Sequence, residues 1–71
     1  MRIAIKYQDR IGLGEDLLTV ITRQKINISS IEVEPENIYL DLPSLPVEKF
    51  GFIQKEILPI PGVDDVFPVD I

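Results

Sequence analysis

Cysteine, histidine and tryptophan are absent from this chain of 71 residues. Without cysteine the chain can form no disulfide and has no thiol chemistry. Without histidine it lacks the usual general base at neutral pH, and without either residue it lacks the commonest zinc ligands. No apolar run approaches the roughly 20 residues of a membrane span, and the first residues lack the layout of a signal peptide. These absences remove most enzyme classes and favour a cytoplasmic protein that does not enter membranes.

Basic residues are also few. Seven basic against twelve acidic residues give a net charge of −5, and the basic residues are scattered along the chain. Such a chain repels a phosphate backbone, so direct contact with nucleic acid is not expected. The apolar share of 45% indicates a folded chain. A domain of this size buries only about 60% of the surface that its unfolded chain exposes, so residues 1–71 are expected to form one domain that associates with a partner.

Apolar periodicity predicts six elements. Period-two alternation is typical of strands and three-to-four spacing of helices. The pattern predicts strands at residues 1–7, 26–34, 38–42 and 63–69, and helices at residues 14–24 and 47–58. Within the second strand the apolar phase changes. Either a bulge lies near Ser29 and Ser30, or Ile26 and Ile28 belong to the approach from the first helix.

Residues 34–37 predict a hairpin turn between the second and third strands. Pro35 is preset for the second turn position, and Asn37 tolerates a left-handed φ. The resulting order of elements predicts an α+β, ferredoxin-like βαββαβ fold. Two right-handed crossovers then place the first and third strands in the centre of a four-stranded antiparallel sheet, with both helices on one face.

This fold leaves one sheet face and the edge of the second strand uncovered. Ala4, Tyr39, Phe67 and either Ile28 or Ile31 are candidates for that uncovered or edge surface. Proteins rarely leave such edges open. A homodimer formed by edge pairing or by sheet stacking would cover them.

The turn between the first strand and the first helix, DRIGLGED at residues 9–16, is the most informative segment for function. Glycines at positions 12 and 14 leave backbone N–H groups and a helix N-terminus open to a carboxylate. The alternative is that they only permit a tight strand-to-helix connection.

The whole chain resembles ACT domains, the small regulatory modules that bind amino acids. The resemblance lies in Asp9-Arg10-x-Gly12-Leu13, Ile26-Asn27-Ile28 and Pro61-Gly62-Val63. More narrowly, the chain is similar to the N-terminus of TyrR-like regulators of aromatic amino acid metabolism. That similarity lies in Met1-Arg2, the run from Asp9 to Leu13, Ser30-Ile31-Glu32, Ile38-Tyr39-Leu40, Gly62-Val63 and Asp65-Val66.

The resemblance implies a regulatory, non-catalytic domain that binds tyrosine or phenylalanine at a homodimer interface, with no cofactor and no metal. It implies that residues 1–71 are the N-terminal fragment of a larger regulator, with a PAS domain, an AAA-type ATPase domain and a DNA-binding helix-turn-helix following. DNA contact would then belong to those later domains. The alternatives are a structural dimerisation module without ligand, a regulatory ACT module of a metabolic enzyme, and a free-standing module.

The resemblance also assigns the site. It places the ligand between the turn of one subunit and the start of the second strand of the other. The residues at these positions are Tyr7, Asp9, Ile11, Gly12, Leu13 and Gly14 of the turn, and Asn27 and Ile28 of the strand.

The chemistry of these positions suits an α-amino acid, which needs an acceptor, donors and an apolar surface. Asp9 would accept the ammonium, N–H groups around Gly12 to Gly14 would hold the carboxylate, and Asn27 would bridge either group. The apolar side chains at positions 11, 13 and 28 would contact the ligand. Structural alternatives are that Asp9 caps the turn or helix, that Asn27 only satisfies the backbone, and that Tyr7 is a core residue.

An acyl-phosphatase-like enzyme would need an arginine and an asparagine around a phosphate. Arg10 and Asn27 fit this requirement superficially. However, Asp9 and Glu15 flank the arginine and would repel a phosphate, which disfavours catalysis. Arg10 is expected to be solvated or to pair with an acidic neighbour rather than to contact a ligand.

Overall fold

The structure, a computed structural model, describes residues 1–69. In chain order its elements are β1 (Arg2–Tyr7), α1 (Leu13–Arg23), β2 (Ser30–Val33), β3 (Asn37–Asp41), a 3-10 turn (Val47–Lys49), α2 (Phe50–Ile57) and β4 (Val63–Val69). The strands form one sheet in the order β2-β3-β1-β4, and each hydrogen-bonded pair is antiparallel. The predicted α+β, ferredoxin-like fold is confirmed, with β1 and β3 in the centre of the sheet.

The core lies between the sheet and the two helices. On β1, Ile3 and Ile5 are fully buried, and they pair in register with Leu40 and Ile38 of β3. The helices face them with apolar side chains at helical spacing, namely Leu13, Leu17, Ile21, Ile53 and Ile57. Complete burial of one such side chain stabilises the folded state by about 1.5–3 kcal/mol. The alternation in β1 and the spacing in the helices therefore fix which face of each element is buried.

β2 is shorter than the predicted strand because it begins only at Ser30. Ile26 and Ile28 precede it, and both pack against the core while partly buried. They therefore belong to the approach from α1, which was the second interpretation of the phase change. The register between β2 and β3 runs from Ser30 to Val33 without a shift, so the bulge predicted near Ser29 is wrong.

The irregularity of the sheet lies instead between Lys6 and Tyr7, where the pairing of β1 with β4 shifts. The predicted hairpin is present, and the N–H of Glu34 donates to the carbonyl of Asn37 at 2.9 Å. Asn37 is the first residue of β3 and does not have a left-handed φ. The turn therefore closes without the left-handed asparagine that was expected.

α1 ends in a Schellman turn whose left-handed position is a lysine. Lys25 has a φ of 56°. Its N–H donates to the carbonyl of Thr22 at 2.9 Å, and the N–H of Ile26 donates to that of Ile21 at 3.3 Å. Glycine usually occupies this position, because a Cβ in left-handed backbone costs roughly 1–2 kcal/mol. Lys25 therefore carries a conformational cost that glycine would not.

Within residues 1–69 no helix covers the second face of the sheet, and long polar side chains extend over it. Arg2 hydrogen-bonds Glu32 at 2.9 Å and Asp41 at 3.4 Å, and its guanidinium carbon lies 4.9 Å from the ring centroid of Tyr39. The hydrogen bond with Glu32 raises the pKa of Arg2 above its ordinary value. The arginine thus remains charged and links three strands across this face.

The predicted exposure of this face is confirmed only in part. Ala4 lies here, in register with Tyr39 on one side and Phe67 on the other, yet it is fully buried. A methyl group is short enough to be covered by larger neighbours. Phe67, in contrast, is 37% exposed.

Candidate ligand-binding turn and subunit interface

The turn that follows β1 is held in place by one arginine. The Arg10 side chain donates to the backbone carbonyl of Pro61 and, at 3.0 Å, to that of Ile11. It also forms an ion pair with Asp16 at 2.7 Å. All three guanidinium nitrogens are therefore already engaged, and the prediction that Arg10 pairs with an acidic neighbour is confirmed.

Gly62 lets the loop before β4 lie directly against this turn. Its φ is +97°, and a Cβ added there would lie 3.0 Å from the carbonyl oxygen of Gln8 and 3.3 Å from Nε of Arg10. The N–H of Gln8 in turn donates to the carbonyl of Gly62 at 2.7 Å. The position requires glycine, both for its backbone conformation and for this close approach.

α1 begins at the turn without a side-chain cap. Its N-cap is Gly12, with a φ of 85°. Within residues 1–69 the Asp9 carboxylate accepts no hydrogen bond, and the N–H groups of Gly14 and Glu15 have no acceptor. The alternative role of Asp9 as a helix cap is thus not seen. The N–H of Gly14 is one of the donors predicted for a ligand carboxylate, whereas the N–H of Leu13 already donates to the carbonyl of Arg10 at 3.4 Å.

The charge around the turn is negative. Asp9, Glu15 and Asp16 contribute three carboxylates against the single guanidinium of Arg10. This balance repels a phosphate dianion and attracts an ammonium group. A zwitterion that directs its ammonium towards the carboxylates and its carboxylate towards the N–H groups fits both features.

The apolar candidates differ in how accessible they are. Ile11 is 100% exposed, whereas Leu13 is 3% exposed and belongs to the core. Tyr7 packs against the core, and its hydroxyl donates to the carbonyl of Glu34 at 2.7 Å. Ile28 is partly buried against the same core. Ile11 is therefore the apolar side chain of this set that is fully open to a ligand or a second subunit.

Asp9 and Asn27 lie at opposite ends of the sheet. Asp9 follows the last residue of β1, whereas Asn27 precedes Ser30 at the start of β2. Ser30 is in register with Asp41, which pairs with Arg2 at the other end of β1. The six residues of β1 separate these two ends by roughly 17 Å, at about 3.3 Å per residue. One chain alone therefore does not bring the two halves of the predicted site together.

The open edge of β2 is bordered by apolar side chains. Ile31 and Val33 are in register with buried residues of β3, so they lie on the helix side of the sheet. They are nevertheless 46% and 68% exposed. We call Ile31 and Val33 the edge strip. In proteins generally, an unpaired strand edge with an apolar border favours association with another chain.

Two features of the site gave no signal in the sequence. The bond from Arg10 to Pro61 joins residues 51 positions apart, and no local pattern predicts such a pairing. The Tyr7 hydroxyl bond to a backbone carbonyl was likewise not expected. In the described part of the chain, no helix has the length and apolar character needed to cross a membrane.

No protein-family model matches the chain. Among curated proteins it is similar to the HTH-type transcriptional regulatory protein TyrR. It is 40% identical over 67 residues to that protein of Enterobacter agglomerans, and 36% identical over 67 residues to those of Citrobacter braakii and Salmonella typhimurium. Each match covers 93% of this chain but only 13% of the relative. The similarity to TyrR-like regulators predicted from the sequence is confirmed.

Proposed function

From this similarity to TyrR regulators, we propose that the chain is the amino-acid-sensing and dimerisation domain of a cytoplasmic transcriptional regulator, with the ACT type of fold. Two copies bind an aromatic amino acid, tyrosine or phenylalanine, at each of two equivalent interfacial sites. The domain itself is not catalytic, and contact with DNA belongs to other parts of the regulator.

The observation that carries this proposal is the separation of Asp9 from Asn27. If two β2 edges pair antiparallel about a two-fold axis, the start of each β2 lies beside the end of the other. Asn27 of one copy then lies at the end of the joined sheet that carries the Asp9 turn of its partner. Edge pairing thus covers the edge strip and supplies the missing half of each site.

The chemistry of the turn favours an amino acid over other small ligands. Asp9 and Glu15 attract the ammonium, the N–H groups of Gly14 and Glu15 attract the carboxylate, and Ile11 offers apolar contact. Ligand binding across the interface stabilises the dimer, because the ligand contacts both subunits only when they are associated. Amino acid concentration is thereby linked to the association of whatever domains are attached.

A complementation experiment tests the shared site. Asp9→Ala and Asn27→Ala are each expected to abolish binding of tyrosine or phenylalanine in isothermal titration. When the two variants are mixed in equal amounts and allowed to exchange subunits, each mixed dimer has one site with both residues intact. About a quarter of all sites should then bind again, because half of the dimers are mixed. Glu56→Gln, on the exposed side of α2, is the control that leaves binding unchanged.

Two results would contradict the proposal in different ways. If the mixture recovers no binding although subunits exchange, the two residues do not share a site across the interface. If the unaltered chain forms dimers but neither amino acid changes its sedimentation or its melting temperature, the domain is a structural dimerisation module. A chain that stays monomeric at all concentrations would exclude both functions.

A further inference from the structure

A second concave surface lies at the far end of α1 from the turn. It is a cleft of about 510 Å³ between the end of α1, the loop after β3 and the start of α2. This volume falls within the range of about 300–1,000 Å³ that is typical of small-ligand sites. The eleven residues of α1 separate the cleft from the turn by about 16 Å, at 1.5 Å per residue. The cleft is complete within one chain and needs no partner.

The wall of the cleft is apolar. Leu45 and Ile53 line it and are 6% and 1% exposed. Phe52 also lines it and is 53% exposed, so an aromatic ring lies in water beside an apolar wall. The ring would bury additional apolar surface if a flat apolar group entered the cleft, and that burial favours binding.

The charged residues that line the cleft favour a single negative charge. Lys25 and Lys49 contribute two positive charges and Glu48 one negative charge. Neither lysine forms an ion pair within residues 1–69. The residues that line the cleft therefore carry a net charge of +1, although the whole chain carries −5. This local charge attracts a monoanion, but the second negative charge of a dianion would meet no further unbalanced positive charge.

Lys25 provides an independent observation. It holds a left-handed backbone conformation that glycine would adopt without strain. Strained positions of this kind concentrate at functional sites, because the side chain has a role that outweighs the cost. The lysine at this position contributes a charge to the cleft, which glycine would not.

We propose that the cleft binds a small monocarboxylate with an apolar body, of the arylalkanoate type. The body packs against Leu45, Ile53 and the ring of Phe52, and the carboxylate pairs with Lys25 and Lys49. An ammonium next to the carboxylate would lie beside the same two lysines and be repelled by them. The ligand class is therefore distinct from the amino acid proposed for the interfacial site.

The test is a titration of the chain with 3-phenylpropionate, followed by amide chemical shifts. Saturable shifts are expected at the cleft residues. Phenethylamine, which has the same ring and the opposite charge, should not produce them, and L-phenylalanine should bind the cleft more weakly. Lys49→Ala is expected to weaken binding about threefold to fivefold, as for an exposed ion pair, and Phe52→Ala at least as much. Lys55→Ala, an exposed lysine of α2 outside the cleft, is the matched control.

Lys25→Gly separates a binding role from a structural one. It should weaken phenylpropionate binding although it relieves backbone strain, whereas a purely structural lysine would leave binding unchanged. The proposal is overturned if the cleft residues show no saturable shift, if phenethylamine shifts them equally, or if Lys49→Ala binds as tightly as the unaltered chain. Asp9→Ala should retain phenylpropionate binding, so a failure of the interfacial site and a failure of the cleft are distinguishable.

Discussion

At the residue scale, the left-handed backbone of Lys25 predicts that glycine at this position would stabilise the fold. Lys25→Gly should raise the free energy of unfolding by about 1 kcal/mol, because glycine removes the cost of a Cβ at a φ of 56°. Urea denaturation measures the change. Lys25→Ala is the control, since it removes the charge but keeps the Cβ, and it should not stabilise. Equal stabilisation by both variants would show that the lysine charge, not the backbone, is the source of the cost.

Substitution of glycine by alanine is expected to have opposite effects on stability at two positions. Gly62→Ala should destabilise the fold by about 2 kcal/mol, because its φ is positive and the new Cβ would lie 3.0 Å from a backbone oxygen. Gly51→Ala, within α2 and with no atom within 4 Å of the new Cβ, should stabilise by about 0.5–1 kcal/mol. Thermal melts of the pair at one concentration test this. A stable Gly62→Ala variant would show that the turn can move away from the loop.

The sequence was informative about residues whose roles are local. The pairing of Arg10 with a nearby acid was predictable because the partner, Asp16, lies six positions away. The burial of Leu13 was not anticipated in the site assignment, because a residue type that suits an apolar ligand suits a core equally well. The sequence located this turn between β1 and α1, but it did not show which apolar residues of the turn remain exposed.

At the scale of elements, the exposed edge of β2 predicts where subunits meet. Val33→Lys should weaken the dimer by about tenfold or more, because a charge would enter an apolar border beside the pairing strands, and tenfold corresponds to 1.4 kcal/mol. Sedimentation across concentrations measures the dissociation constant. Val47→Lys is the control, with 75% exposure against 68% for Val33 but a position in the 3-10 turn. Weakening by the control alone would place the interface on the other side of the molecule.

Element type and order were predictable because periodicity is strong in β1, α1 and α2, and because the hairpin turn is short. The boundaries of the elements were less predictable. The first turn of the predicted second helix is a 3-10 turn, in which the N–H of Lys49 donates to the carbonyl of Pro46 at 3.0 Å, and it continues into α2. The extent of β2 was ambiguous because Ile26 and Ile28 pack against the core without joining the sheet. In the sequence, partly buried residues outside a strand produce the same apolar pattern as the residues of a strand.

At the scale of the whole molecule, small size predicts that stability depends on association. A dimer of this chain should show a melting temperature that rises by about 4 °C for each tenfold increase in protein concentration. Calorimetry or circular dichroism at three concentrations measures this slope. In Val33→Lys the slope should disappear at concentrations where that variant is monomeric. A slope of zero in the unaltered chain, with dimers present, would mean that the monomer is stable by itself.

The site could be predicted only as two separate segments. The resemblance to ACT domains implies that the Asp9 turn and the Asn27 strand belong to one site, and the fold places them at opposite ends of one chain. In the proposed dimer a second copy brings the two segments together, and no pattern within a single chain gives the position of that copy. The cleft beside Phe52 escaped prediction for a related reason, since its lining comes from three segments that meet only after folding.

The two edges of the sheet are unequal. β4 contains Pro68, which has no N–H to donate, and it begins with acidic residues at positions 64 and 65. β2 contains no proline and a single acidic residue, Glu32. A chain whose two sheet edges could both pair with other copies would add copies indefinitely and form filaments. A chain with one such edge can pair with only one other copy. In the proposed dimer, the proline in β4 would therefore stop further addition of copies, and the joined sheet would have eight strands, twice the four of one chain.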